Sequence, residues 1–445
     1  MAEQNIAAIS TALSASGVAV IRISGKDPLN IAQKMFNPAG KVGVTDFEPN
    51  KMYVGEIVAD GFSDHGLCVY FKGPKSFTGE DVVEFHSHGG VAIAKGILQK
   101  ALSLGARLAN NGEFTKRAFM NGKLSLSSAE GLIDMINSES VSGVKAGYYL
   151  YREKLTEEIT ALQDKITYAL AEIDADMDFP EEDLEITSTN NVKDAVVAVI
   201  ERIERLLKTY RTGRTIKNGV TVGIVGKPNT GKSSILNALL NFDKAIVSDV
   251  AGTTRDIVEG VLDINGVRFN FSDTAGIRES DDKIEELGVN LSKRVLNESD
   301  LILFVLDGGA IDENDKLIYE KIKEKNHLVA VNKIDLYDKK VDYADIYVSA
   351  KRRDNVEQLK QLIYDKTIGS GVDLNGDFLC EERHFDALSR AKEKFSSALS
   401  AIDMVTLDVL SIDLKDGWEA LGEISGKTAT EDIINEIFSK FCVGK

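Results

Sequence analysis

One short stretch constrains this chain more than any other: Gly226-Lys-Pro-Asn229-Thr230-Gly231-Lys232-Ser233, followed by Ser234. It sits directly after the apolar run Val222–Val225 and directly before the apolar residues Ile235–Leu240. The order is a buried strand, a glycine turn and then a helix, the setting in which G-x-x-x-x-G-K-S acquires meaning. The glycines let backbone N–H groups converge on phosphate oxygens without interference from a Cβ. The helix N-terminus adds its partial positive charge. Lys232 is expected to reach the β- and γ-phosphates, and the Ser233 hydroxyl to ligate Mg²⁺. A nucleoside triphosphate is therefore the expected ligand.

The purine is read further along. Asn332-Lys333-Ile-Asp335 follows the apolar strand Leu328–Val331. A carboxylate at Asp335 accepts from both guanine N1–H and the 2-amino group, whereas adenine leaves it unpaired. Sites built on such pairing reject the wrong partner by roughly 10⁴-fold or more. Ser349-Ala350-Lys351 ends the stretch Ile346–Val348 and is expected to support the guanine through its backbone. Asp273-Thr274-Ala275-Gly276 fits the element on the metal side that senses the γ-phosphate. Thr254, in Gly252-Thr253-Thr254-Arg255-Asp256, fits a second Mg²⁺ hydroxyl. These elements choose GTP over ATP and argue against a P-loop kinase.

A chain of 445 residues suggests about three domains. Its three cysteines, Cys68, Cys380 and Cys442, are far apart and form no C-x-x-C, which fits a reducing compartment rather than a disulfide scaffold or zinc site. The N-terminus has no cationic residue before Arg22, so a signal peptide is not expected. No apolar run is long enough to span a membrane. A cytoplasmic protein without membrane contact is the expectation. The formal net charge of −17 repels nucleic acid globally. RNA contact then needs a local basic patch or a basic partner. The run Arg202, Arg205, Lys208, Arg211, Arg214 and Lys217 is one such patch; its plainer reading, which we favour, is a solvated helix face.

Along the chain, residues 1–118 alternate short strands (Val18–Ile23, Val54–Val58, Gly66–Phe71, Val82–His86) with helical periods at Asp27–Met35 and Ala92–Leu104, an α+β pattern. His86 and His88 share a strand face, but no third metal ligand accompanies them. From Ser127 the texture is helical, with helical spacing through Ala129–Ile136, Val144–Leu170 and Val192–Tyr210; we assign 119–217 to the first part of a helical domain. The acidic, proline-broken segment Asp174–Glu185 reads as a solvated connector. Residues 218–370 alternate six strands with helices, and Asn265-Gly266 marks a hairpin. This predicts a mostly parallel sheet with one antiparallel edge and ligand loops at the strand C-termini. After a Gly-rich linker, residues 371–445 read as helices again and are expected to pack on those of 127–212. The fold class is therefore multidomain: an N-terminal α+β domain, a discontinuous all-α helical domain, and an inserted α/β Ras-like P-loop G domain.

The whole order resembles the tRNA modification GTPase family MnmE (TrmE). The resemblance is carried by the P-loop and guanine motifs and by Gly17-Val-Ala-Val-Ile-Arg22-Ile-Ser-Gly25, Ser76-Phe-Thr-Gly-Glu80-Asp-Val-Val-Glu84, Gly112–Phe119 with Asn121-Gly-Lys123, Asp178–Asp183 and the terminal Cys442-Val-Gly-Lys445. It implies a homodimer that works with the flavoprotein MnmG (GidA), in a heterotetramer or larger assembly, on tRNA. The implied reaction places an aminomethyl or carboxymethylaminomethyl group on C5 of the wobble uridine. The carbon comes from a tetrahydrofolate derivative (5-formyl- or 5,10-methylene-) held by the N-terminal domain, which also dimerises. Arg22, Glu84, Lys123 and Lys445 stand at the implied folate positions. Ser125 departs from the aspartate common in the family. For GTP cleavage, Ile277 stands where Ras-type enzymes carry a water-orienting glutamine. The resemblance gives that role to Glu285, with Asp281, Asp282 and Glu286 as rival carboxylates nearby. It also implies a K⁺ ion ligated by Asn229 and by Ser248, Val250 and Thr253, in place of an arginine finger. The role of Cys442 stays open. A rival reading from another class is a switch-only GTPase, for example in ribosome assembly, without one-carbon chemistry; it requires nothing of residues 1–125 or of the terminal tail.

Overall fold

In the computed structural model the described residues are 4–178, 185–240, 260–273, 298–338, 340–369, 378–402 and 404–444. They form two compact units. One comprises Met1–Ile133, Tyr149–Ile200 and Ala387–Lys445; the other comprises Asp134–Tyr148 and Glu201–Asp386.

The first unit begins with a seven-stranded sheet of β1 (Ile6–Ile9), β2 (Ser16–Gly25), β3 (Phe36–Pro38), β4 (Met52–Ala59), β5 (Phe62–Phe71), β6 (Asp81–Gly89) and β7 (Arg107–Leu108), in the order β3-β4-β5-β6-β2-β1-β7. The anticipated strands are present and longer than expected; β1, β3 and β7 are too short to leave a period in the sequence. Side chains alternate across the sheet. Ile21, Ile23, Val83 and Phe85 join a core with Ala94, Ile97 and Ala101 of the helix Val91–Ser103. The residues between them, Arg22 and Glu84, therefore take the opposite face, where β2 and β6 pair them directly.

The helical part of this unit rests on the helices Lys154–Asp178 and Leu407–Ser425, drawn from the two sides of the nucleotide-binding segment. Gln163 Nε2 donates to Trp418 O at 3.0 Å, and Trp418 Nε1 donates to Thr167 Oγ1 at 3.1 Å. The helical domain is thus discontinuous in sequence. The apolar spacing from Val144 to Leu170 is interrupted: the helices are Val141–Tyr151 and Lys154–Asp178, with Glu153 between them at φ 61°. The Glu153 carboxylate accepts from Ser125 N (3.0 Å) and Ser128 Oγ (3.2 Å), at the start of the helix Leu126–Asn137. An anion is favoured at that position, and the tie holds the break open. Ser125 Oγ accepts from Ser128 N at 3.1 Å and so caps the same helix. An aspartate at 125 would put a second carboxylate beside Glu153, which gives the serine a physical reason.

The second unit holds the six-stranded sheet of β8 (Val220–Val225), β9 (Gly260–Ile264), β10 (Val267–Asp273), β11 (Leu301–Asp307), β12 (His327–Asn332) and β13 (Ile346–Tyr347), in the order β13-β12-β11-β8-β10-β9. All pairs are parallel except β9–β10, the antiparallel edge predicted from Asn265-Gly266, whose φ values are 52° and 86°. This is the Ras-like arrangement. The near-continuous apolar strands β8, β11 and β12 are buried on both faces, as a parallel sheet requires. The parallel strands share one C-terminal edge.

Lys217 is a correction to the solvated-face reading of the basic run. It lies near the end of the long helix Glu185–Asn218, and its ammonium is held by Asp134 Oδ1 at 2.8 Å and by Glu381. The arginines and lysine before it lie on the same helix.

Candidate functional site

The phosphate loop leaves β8 and enters the helix Lys232–Leu240. Gly226 has φ +155° and Gly231 φ +94°. A Cβ on Gly226 would stand 2.4 Å from Val305 O, and one on Gly231 would stand 2.2 Å from Asn332 Nδ2. Only glycine fits either place. Asn229 is exposed at φ 64°, Thr230 is buried, and Ser233 and Ser234 are exposed in the first turn of the helix. Lys232 Nζ donates to Gly226 O and Lys227 O at 3.0 Å each, so its ammonium lies against the loop's own carbonyls.

The loops after β12 and β13 meet this loop from the side. Asn332 Nδ2 donates to Thr230 O at 3.0 Å, while its Oδ1 accepts from Ala350 N at 3.1 Å. Lys333, at φ 68°, donates to Asn229 O (2.8 Å) and to Asp307 Oδ2 (2.6 Å). Burial pushes the Asp307 carboxyl up, but the hydrogen bonds from Lys333 and Gly309 and the nearby lysine charges outweigh it and lower its pKa. Asp335 Oδ1 accepts from Ser349 Oγ at 2.7 Å. That bond, with the charges of Arg352 and Lys351, keeps the Asp335 carboxyl below its ordinary range, so it meets a ligand as an anion and an acceptor. The structure thus brings together Asn229, Thr230, Gly231, Lys232, Asn332, Lys333, Asp335, Ser349 and Ala350, with Lys351 exposed at the rim. The phosphate loop and the Asp335 carboxylate lie at one strand edge.

Asp273 ends β10 opposite Ile224 of β8, which sets its backbone next to the strand that feeds the loop. Ser248, Val250, Thr253, Thr254, Thr274, Ala275, Gly276, Ile277, Glu285 and Lys445 lie outside the described residues.

Sequence reasoning missed Lys227 and the acids that hold it, Asp312 and Asp315 (2.9 and 2.7 Å). The only signal was a cation inside the loop and an acidic pair after the third long strand. It missed Asp307 for the same reason: an aspartate closing an apolar strand looks like a strand end.

A second polar group lies on the other face of the seven-stranded sheet, beside Phe77 and Phe114. Arg22 Nε donates to Glu84 Oε1 at 2.7 Å, and His86 Nε2 lies 3.3 Å from Glu84 Oε2. The Arg22 guanidinium stands 5.5 Å from the Phe77 ring centroid and 5.7 Å from that of Phe114. Burial raises the Glu84 carboxyl, but the His86 hydrogen bond and the Arg22 charge and hydrogen bond together bring it below its usual range. His88 is turned to Asp64 at 2.6 Å, so the two histidines serve different acids. Lys123 Nζ donates to Pro74 O at 2.8 Å. The chain's end returns to its beginning: Ser10 Oγ donates to Gly444 O at 3.1 Å, and Val443 bridges Asn111. Cys442 is exposed there. A cavity of about 500 Å³ is lined by Asn110, Lys116, Met120, Asn435 and Phe438 among others; neither Arg22, Glu84 nor any phosphate-loop residue borders it. No group of three or more potential metal ligands occurs among the described residues, and no helix among them is long and apolar enough to cross a membrane.

Comparison with known proteins adds two kinds of finding. The family profile described as "MnmE helical domain" matches residues 126–442, and that described as "GTP-binding protein TrmE N-terminus" matches residues 5–123. A protein named tRNA modification GTPase MnmE from Desulforamulus reducens is 39% identical over 461 residues, covering 100% of both chains. One of the same name from Clostridioides difficile is 38% identical over 456 residues, covering 100% of this chain and 99% of the other. Among solved structures, the FeoB G-domain from Methanococcus jannaschii matches at 26% identity with a TM-score of 0.26, over 33% of this chain and 97% of that one.

Proposed function

The chain belongs to the MnmE family of tRNA modification GTPases, and from that premise we propose that it uses GTP cleavage to drive one-carbon modification of the wobble uridine of tRNA. It is a GTPase. The reading beyond that coarse identity assigns 1–118 to folate binding and dimerisation, 119–217 and 371–445 to the helical domain, and 218–370 to the G domain. The protein acts as a homodimer in the cytoplasm with the flavoprotein MnmG. The observation that carries the reading is the coexistence of two polar sites: the phosphate loop with Asp335, and the Arg22–Glu84 pair flanked by aromatic rings.

The first site does the following with GTP. The amides from Asn229 to Ser233 and the helix N-terminus meet the phosphates. Lys232 turns from the carbonyls of Gly226 and Lys227 to the β- and γ-oxygens, where negative charge grows during cleavage. Asp335 accepts from guanine, and Ser349 holds that carboxylate in place. Ser233 and Thr254 would hold Mg²⁺, which would neutralise phosphate charge; the exposed Ser233 side chain suits that role. Asn229 is exposed too, so a K⁺ ion has access to its amide oxygen, with Ser248, Val250 and Thr253 as its other ligands. Asp273, Thr274, Ala275 and Gly276 sense the γ-phosphate and Glu285 orients water.

At the second site Glu84, held by Arg22 and His86, would accept from the donor edge of a reduced pterin. The Arg22 terminal N–H groups have no other hydrogen-bond partner among the described residues, which suits a ligand carboxylate. Lys123 and Lys445 complete the set. When bound, the folate supplies a one-carbon unit at the oxidation state of formyl or methylene.

Two measurements test the reading. GTP hydrolysis in KCl is expected to exceed that in NaCl at equal ionic strength, and equal rates remove the K⁺ assignment. Calorimetric titration with 5-formyltetrahydrofolate is expected to show binding that Glu84→Gln abolishes. No binding by the wild type favours the switch-only GTPase instead.

A further inference from the structure

We propose that Lys227 is the positioning residue that holds the phosphate loop in its ligand-ready shape, setting nucleotide affinity rather than the rate of cleavage. The inference rests on the phosphate loop being the GTP site. An ammonium has three N–H donors. Those of Lys227 are matched by three acceptors outside the loop: Ala310 O at 2.8 Å, Asp312 Oδ2 at 2.9 Å and Asp315 Oδ2 at 2.7 Å. Its charge is therefore committed to the start of the helix Glu313–Ile322 and not to phosphate.

The anchor at the other end is built. Asp312 and Asp315 form a reciprocal cap on that helix: Asp312 Oδ1 accepts from Asp315 N, and Asp315 Oδ2 accepts from Asp312 N. Asp315 is fully buried, and its Oδ1 has no hydrogen-bond partner among the described residues. A buried carboxylate in that position needs a cation, and Lys227 supplies it.

The loop end explains why affinity depends on the anchor. Lys227 O accepts from Lys232 Nζ and from Thr230 Oγ1, both at 3.0 Å. When phosphates arrive, Lys232 leaves that carbonyl for them. The loop then loses an internal bond at the moment it must keep its amides aimed inward. The Lys227 side chain, tied outside the loop, keeps the carbonyl and its neighbours in place. Without it, part of the binding free energy goes into ordering the loop.

The test uses the full chain. Lys227→Met keeps the stem and removes the charge. It is expected to raise Kd for both GDP and GTP, and KM for GTP, by roughly tenfold, with kcat within about twofold of wild type. Lys227→Arg is expected to recover most of the affinity. Asp312→Asn acts on a half-exposed side chain, and asparagine caps helices as well as aspartate does. It keeps the domain folded if Lys227→Met does not, and a roughly threefold rise in Kd is expected. Unchanged Kd in a folded Lys227→Met or in Asp312→Asn overturns the proposal, as does a fall in kcat with Kd unaltered. A lower melting temperature with unchanged affinity shows a purely structural lysine and overturns it too. Failure of the wild type to bind GTP is a separate result that removes the nucleotide site itself.

Discussion

At Gly231 a single hydrogen atom separates function from collision. Its φ of +94° and the 2.2 Å approach of Asn332 Nδ2 leave no space for a methyl group. Gly231→Ala is expected to abolish detectable GTP binding in calorimetry and to destabilise the domain by about 1–3 kcal/mol. Asp134 is a residue of another kind. Burial, then the Glu381 charge, push its pKa up to about 8 against the pull of Lys217. The folded value lies above that of the unfolded chain, so the folded state binds the extra proton. The stability it contributes is complete below the ordinary aspartate range and is lost as pH rises through about 8. The melting temperature is expected to fall as pH rises from about 4 to about 8 and to level off above that, and Asp134→Asn, which cannot titrate, is expected to flatten that fall. Neither the burial of Asp134 nor that of Lys217 could be read from charge patterning, which sees the sign of a residue and not its surroundings. Cys380, beside this cluster, is pushed up to about 12 by burial, then by the charges of Glu381 and Asp134, whereas Cys442 is exposed.

At the level of elements, periodicity found the strands and helices that are long or fully apolar. β8, β11 and β12 are continuous apolar runs, and β9–β10 carries a turn dipeptide, so each has a local signature. The break at Glu153 had none, because the apolar spacing continues across it while the carboxylate is claimed by Ser125 and Ser128 from another helix. Gly417 shows how tightly the helices pack. A Cβ there would stand 2.5 Å from the ring of Phe395, which is itself fully buried and has no room to retreat. Gly417→Ala is expected to cost about 1–3 kcal/mol in chemical denaturation while leaving GTP hydrolysis within twofold. A neutral result would mean that the helix Glu382–Ala401 shifts to make room.

The two ends of the chain define the largest scale. Gly444, at φ +99°, packs where a Cβ would be 2.3 Å from Ile9 O, and Ser10 bonds its carbonyl. The terminal residues are thus fastened to the strand beside Arg22, 434 positions away in sequence for the Ser10 bond. Deletion of residues 442–445 is expected to weaken 5-formyltetrahydrofolate binding at least tenfold in calorimetry and to leave GTP affinity unchanged. Equal loss of both ligands would show that the tail supports the fold rather than the proposed folate site. The helical domain is likewise made from distant parts, with Gln163 and Thr167 meeting Trp418 across the inserted nucleotide-binding segment.

The glycine loop after β8, the turn Asn332–Asp335 and the sheet that carries them were legible because each is a run of neighbouring residues whose backbone needs are local. Glycine at positive φ, alternation on a strand and an apolar run before a turn all leave marks within a few positions. The Arg22–Glu84 pair, the Lys227 anchor, the Lys217 cluster and the seat of the C-terminal tail left no such mark. Each depends on register or packing between segments far apart in the chain, and burial sets whether a charge there is a solvated decoration or a fixed part of a site.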